Sequence, residues 1–147
     1  MRSLRLERVF DAVFIHDAIM YITSEGDLRR AIETAYVHTK PGGVALLAPD
    51  FVRETFTPST EDGGHDGEGR AIRYLEWTFD PEPADSTVAA HFVYMMKEGD
   101  RVTVEHDVHI CGLFAREVWL GLLERAGFQT RIFVDNYKRD LFIALKP

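Results

Sequence analysis

An α/β fold with a parallel sheet is predicted by three stretches near the start of the chain. Phe10–Ile15 is a short apolar run ending in a polar pair, His16-Asp17. Leu28, Ala31, Ile32 and Ala35 then recur at helical spacing. Lys40-Pro41-Gly42-Gly43 marks a stop, and Val44–Leu47 is a second apolar run. Strand, helix and strand at this separation form a βαβ unit with a right-handed crossover. Open parallel sheets bind ligands at the carboxyl ends of their strands. Here those ends carry His16-Asp17 and Pro49-Asp50.

Residues 1–9 are basic and apolar and enter the first strand without a turn signal. That strand is expected to be buried. Ser24 suits a helix N-cap, with Asp27 three residues on. Arg29, Arg30 and Glu33 face away from the apolar stripe. Lys40 is expected at the helix C-terminus, where a cation complements the dipole, and Pro41-Gly42-Gly43 ends the helix. Residues 57–70, TPSTEDGGHDGEGR, are turn-formers and acids without periodicity and are expected to form a mobile loop. Ile72–Phe79, Thr87–Lys97 and Arg101–Cys111 read as strands with short turns between them. They predict an antiparallel meander over 71–111 with Val88, Ala90, Phe92, Tyr94 and Met96 on one face. A second helix is predicted over Arg116–Ala126, with Val118, Trp119, Leu122, Leu123 and Ala126 inward and Gly127 as its C′ residue. Phe128–Val134 and Leu141–Leu145 are the closing strands, joined by a turn at 135–138.

The length of 147 residues predicts a single domain, 1–147. A formal net charge of −7, with no Lys/Arg-rich run, argues against a nucleic-acid partner. One cysteine, Cys111, can form neither an internal disulfide nor a multi-cysteine metal site. No apolar run has the length of a membrane span, and the N-terminus lacks a signal-peptide core, so a cytoplasmic location is expected.

FDAV-x-x-x-x-A-x-x-Y, then a helix, then KPGG-V-x-L-L, resembles the fourth strand, helix and fifth strand of class I S-adenosylmethionine-dependent methyltransferases. LF-x-RE-x-W-x-x-LLE-x-AGF and the closing LFIALKP resemble that family's last helix and final antiparallel strand. Within it, Pro49 with the Phe51–Pro58 segment, the meander, and His109 ahead of Leu113-Phe114 are similar to small-molecule N-methyltransferases that dimethylate amino sugars. The resemblance implies an α/β fold: a partial Rossmann-like sheet, in the family's strand order 4-5-7-6, with the meander inserted as a lid. It also implies S-adenosylmethionine as cofactor and a small-molecule acceptor for N- or O-methylation. The family's first strand, which pairs with the fourth, has no counterpart here, so Phe10–Ile15 is expected to present an open edge, and a homodimer is expected to form across that edge, through the lid, or through both. The family's glycine-rich loop and the acidic residue that holds the ribose have no counterpart here. Met1-Arg2-Ser3-Leu4 resembles the segment after the family's third strand, without its Asp. The chain is therefore expected to be a fragment or a truncated form. The alternative is a non-catalytic binding or dimerisation module derived from a methyltransferase.

By the same resemblance, Met1, Arg2, His16, Asp17 and Ala18 are the cofactor-binding candidates. His16 and Asp17 could instead terminate the strand by local hydrogen bonding. Tyr21 and His109 are the catalytic candidates. A phenol with an ordinary pKa near ~10 is a poor base, so Tyr21 fits a positioning role. The competing reading for Tyr21 is a core aromatic, and for His109 a hydrogen-bonded lid residue. Phe51, Arg53, Glu54 and Arg139 are the substrate-binding candidates, Arg139 through the planar fork that suits anions; its competing reading is a surface charge. No metal site is expected. Glu105, Asp107 and His109 share a strand face with roughly 7 Å between neighbours, too wide for one small cation. Asp62, Asp66 and Glu68 lack calcium-loop spacing.

Overall fold

The computed structural model describes residues 1–147. In chain order the elements are β1 (Phe10–Ile15), a 3₁₀ turn (Asp17–Tyr21), α1 (Glu25–His38), β2 (Thr39–Leu47), β3 (Ser59–Gly67), β4 (Arg70–Phe79), β5 (Thr87–Glu98), β6 (Arg101–Gly112), α2 (Arg116–Ala126), β7 (Gln129–Val134) and β8 (Asp140–Leu145). They divide into two compact units. The first comprises Met1–Phe56 and Gly112–Pro147, the second Thr57–Cys111.

The first unit holds a four-stranded sheet in the order β1-β2-β8-β7. β1 runs parallel to β2, with Val13 opposite Ala45 and Ile15 opposite Leu47. β8 lies antiparallel to both β2 and β7. Helix α1 begins where its cap predicts, the Ser24 hydroxyl accepting from the Asp27 N–H at 3.2 Å. Its stripe of Leu28, Ala31, Ile32 and Ala35 is buried with Leu47, Leu123 and Phe142 in one core. Trp119 of α2 stacks on Phe142 with ring centroids 5.0 Å apart. Helix α2 ends at Gly127, whose φ of 103° is left-handed. A side chain there would also meet the Tyr36 hydroxyl, so both backbone and space favour glycine.

Three expectations fail here. β1 is an edge strand, so the open edge expected at Phe10–Ile15 is present, and Phe14 is 63% exposed instead of buried. α1 stops at His38, and Lys40-Pro41-Gly42-Gly43 lies inside β2. Lys40 therefore does not cap the helix; its ammonium pairs with Asp11 at 2.9 Å.

The second unit is a four-stranded sheet in the order β3-β4-β5-β6, not a three-stranded meander beginning at 71. The expected mobile loop supplies the additional strand: β3 pairs antiparallel with β4 from Ser59↔Thr78 to Gly67↔Arg70. β3 is exposed almost throughout, so it shows no apolar alternation. Its glycines make room for partners. A Cβ on Gly63 would lie 2.7 Å from the Tyr74 ring, and one on Gly64 only 2.4 Å from the Ile72 carbonyl oxygen. Register places Ala90, Phe92, Tyr94 and Met96 opposite Thr78, Glu76, Tyr74 and Ile72, all on one face.

Candidate functional site

The carboxyl ends of β1 and β2 meet the start of β8 in the first unit, and charged groups converge there. The 135–138 turn is built by Asp135. One carboxylate oxygen accepts the N–H groups of Tyr137 and Arg139, each at 2.9 Å, and Lys138 turns the chain with φ 63°. The other oxygen accepts the Arg139 Nε at 2.9 Å. Burial alone would raise the Asp135 carboxyl. The hydrogen bonds from Arg139 and Tyr137 overcome it and hold the group below the usual carboxylate range. The same contact makes the Arg139 guanidinium still harder to deprotonate.

Arg139 thus held reaches back to both strand ends. Its Nη1 lies 3.2 Å from His16 Nε2 and 3.6 Å from an Asp50 oxygen. A guanidinium only donates, so His16 Nε2 accepts and its proton sits on Nδ1. Nδ1 is 2.7 Å from the Asp17 carboxylate and donates to it. The ring therefore has one defined tautomer, steadied by Phe14 stacked at 5.6 Å. Burial, then the neighbouring negative charge of Asp17, pushes the Asp50 carboxyl above the ordinary Asp range; Arg139 opposes this in part. The outcome is a hydrogen-bonded string, Asp135–Arg139–His16–Asp17, with Asp50 beside it. His16, Asp17 and Asp50 bring one nitrogen and two carboxylates within 4.8 Å of one another, a donor set that a divalent cation could take. Arg139 already supplies positive charge to two of these three groups.

The other candidates fall elsewhere. Ala18 and Tyr21 lie on the 3₁₀ turn after β1. Tyr21 is 57% exposed, which rules out the core-aromatic reading. Phe51 packs edge-on against Phe56. The Arg53 guanidinium donates to the Leu113 carbonyl at 3.3 Å. Glu54 accepts the backbone N–H of Arg116 at 3.0 Å, and so caps helix α2, whose N-cap Ala115 offers no side-chain acceptor. Met1 lines an apolar groove of about 450 Å³ with Leu4, Leu6, Phe10 and Phe14. Arg2 pairs with Asp27 at the start of α1. His109 belongs to the second unit: its Nε2 is 3.2 Å from Asp107, and its ring lies 4.9 Å from that of Phe92. That hydrogen bond is the main reason the Asp107 carboxyl is held below its usual range.

Sequence reasoning placed Asp50 at a ligand-binding strand end without naming it a site residue, and missed Asp135 of the string and Asp140, which is 1% exposed and pairs with the Arg116 side chain. Asp50 carried one usable signal, its place directly after the second apolar strand.

No protein-family model and no curated protein matches the sequence. Solved structures do. The sugar N-methyltransferase KedS8 from Streptoalloteichus sp. superposes with a TM-score of 0.88 at 26% identity, over 99% of this chain and 59% of that one. DesVI of Streptomyces venezuelae gives 0.88 at 22%, over 99% and 62%. The S-adenosylmethionine-bound amino pentose methyltransferase CalS10 from Micromonospora echinaspora gives 0.86 at 21%, over 99% and 62%. The chain has a class I methyltransferase-like fold. It spans about three-fifths of the length of these structures.

Proposed function

We propose that the protein serves S-adenosylmethionine-dependent methyl transfer to a small molecule bearing an amine. The observation that carries this is the coincidence of two facts. The chain follows sugar N-methyltransferases over 99% of its length, and its charged string stands at the strand ends where such sheets bind ligands. On this reading β1, β2, β8 and β7 are strands four, five, seven and six of the methyltransferase sheet, and the second unit is the inserted lid.

The residues present fit part of the cofactor. Asp17 and Asp50 suit an ammonium group, and Ala18 leaves space beside them at the end of β1. No glycine-rich strand-to-helix loop occurs in the sequence, so close backbone approach to the rest of the cofactor is not provided by these residues. Bound S-adenosylmethionine supplies a methyl group on a positively charged sulfur. The task left to the protein is positioning and charge. His16, Asp17 and Ala18 hold the cofactor side, with Met1 and Arg2 nearby in sequence order. Arg139, fixed by Asp135, orients an anionic part of the acceptor. Tyr21, exposed on its 3₁₀ turn, orients the amine. His109, in the second unit with Asp107 beside it, is the acid/base candidate of that unit. Phe51, Arg53 and Glu54 shape the segment leaving β2; the contacts of Arg53 and Glu54 make them supports rather than direct ligands. The protein acts as a homodimer, joined across the open edge of β1, through the second unit, or through both.

The other reading is a non-catalytic binding or dimerisation module that retains the lid. Amide chemical-shift mapping with millimolar S-adenosylmethionine separates the two. Methyl transfer predicts weak binding with shifts centred on His16, Asp17, Ala18 and Asp50. A binding module without the cofactor site predicts no shifts there.

A further inference from the structure

The sheet of the second unit is one layer with two unlike faces. Leu75 and Trp77 of β4 stand opposite Val93 and His91 of β5, and so share a face. His106 of β6 joins them, since its ring stacks on His91 at 5.4 Å; alternation then brings Val102 and Val104 to the same side. These side chains are largely open to solvent, Trp77 at 56% and Val104 at 61%. Leu75, Trp77, Val93, Val102 and Val104 are each at least two-fifths exposed, so the face is a contiguous exposed apolar surface of the kind that marks an interaction site. Charge on this face lies toward β3 and the β4–β5 end of the sheet: Asp62 opposite Leu75, Arg73 of β4 paired with Asp66, and Lys97 opposite Ala71. An uncharged centre with a charged rim is the anatomy of an interface. It also permits a two-fold contact, in which the patch must meet itself.

In the middle of this apolar surface lies a polar pair. His91 Nδ1 and His106 Nε2 are 3.2 Å apart, and Phe79 stacks on the outer side of His91 at 5.4 Å. When both rings are neutral, one N–H donates and the other nitrogen accepts. That hydrogen bond leaves His91 Nε2 and His106 Nδ1 to be met by the covering surface or by water, a much smaller demand than that of two buried charges.

We propose that this face pairs with the same face of a second copy, and that the His91–His106 stack makes the pairing acid-labile. The proposal rests on the homodimer reading given above. Protonation of both rings places two N–H donors and two positive charges against each other, with no acceptor between them. In the separate chain water solvates them. Beneath a second apolar face nothing does, and a buried unpaired charge is strongly unfavourable. No carboxylate of the face compensates. Asp62 and Asp66 lie on β3, two strands from β5, and Asp66 is held by Arg73. Glu105 and Asp107 flank His106 in sequence and project to the opposite face, where Asp107 binds His109. Glu76, opposite Phe92, is on that face as well. The covered pair therefore binds fewer protons than the open one, and association weakens as pH falls through the imidazole range of about 5 to 8.

Sedimentation velocity of the chain over a concentration series at pH 7.5 and pH 5.5 tests this, with far-ultraviolet circular dichroism confirming the fold at both. The expected result is a dimer at pH 7.5 whose dissociation constant rises about a hundredfold or more at pH 5.5. The double variant His91→Phe/His106→Leu, and the milder His91→Gln/His106→Gln should the first not fold, are expected to remain dimeric at both values. Trp77→Glu is expected to be monomeric at both. A wild-type monomer at pH 7.5 would overturn both the surface and the homodimer reading. A wild-type dimer equally tight at both pH values would overturn the switch and leave the dimer standing. Undiminished acid sensitivity in the histidine variants would show that other groups are responsible.

Discussion

In the first unit Leu28, Ile32, Leu47, Leu123 and Phe142 have no exposed surface at all, whereas in the second Trp77, Met95, Val102 and Val104 stand about half in solvent. The first unit closes a sheet against α1 and α2 and so stabilises itself. The second is a single sheet with apolar side chains on both faces, and stable domains are built from at least two packed layers. Apolar content alone thus does not locate a core. What decides is whether a second layer is available to cover it.

The largest expected effect is in the first unit. Phe142→Ala removes a ring from a filled core and should lower unfolding free energy by about 3–5 kcal/mol in chemical denaturation. Val104→Ala, at an exposed position of the second unit, should change monomer stability by less than about 0.5 kcal/mol. Comparable losses at the two sites would break the contrast. Gly64→Val comes next. Its Cβ would press on the backbone of β4, so β3 should detach, with faster amide exchange from Ser59 to Gly67 and little change in the first unit. Unchanged exchange there would mean that the close approach relaxes at no cost.

A smaller effect separates the two carboxyl environments. Asp50 holds its proton more tightly folded than unfolded. Its contribution to stability is therefore complete at pH values below the ordinary carboxylate pKa and is lost as pH rises through the raised value. Asp50→Asn should accordingly raise the melting temperature modestly at pH 7, and the gain should vanish below about pH 4. Asp107, in the second unit, is shifted the other way by His109. Asp107→Asn should lower stability at pH 7, with the difference fading in acid. Thermal melts across pH check both signs.

Much of this was legible in the residues. The Ser24 cap, the Leu28–Ala35 stripe, and helix Arg116–Ala126 ending at Gly127 follow from local rules, and the structure reproduces them because tertiary packing agrees with them. β3 was illegible because its order comes from β4. A glycine-rich acidic segment reads as a loop until Tyr74 and Arg73 are laid across it. His16-Asp17 was legible as a strand-end pair. Asp50 was legible as a strand-end acid but its pairing with Arg139, more than eighty residues away, was not, and Asp135, only four residues from Arg139, looks in sequence like any turn acid. The uncovered face of the second unit escaped notice because both sets of alternate positions in β5 are apolar, and only register shows which ones share a side with His106.

The measurement closest to the central claim is release of S-adenosylhomocysteine from S-adenosylmethionine by the native full-length protein, followed by mass spectrometry with amino-sugar and matched hydroxy-sugar acceptors. Methyl transfer at the β1–β2 strand ends predicts product only with the amine, reduced at least about tenfold by Arg139→Ala, which unties the string from Asp135 to Asp17. Turnover on the hydroxyl acceptor alone, turnover indifferent to Arg139, or none with either acceptor would contradict it.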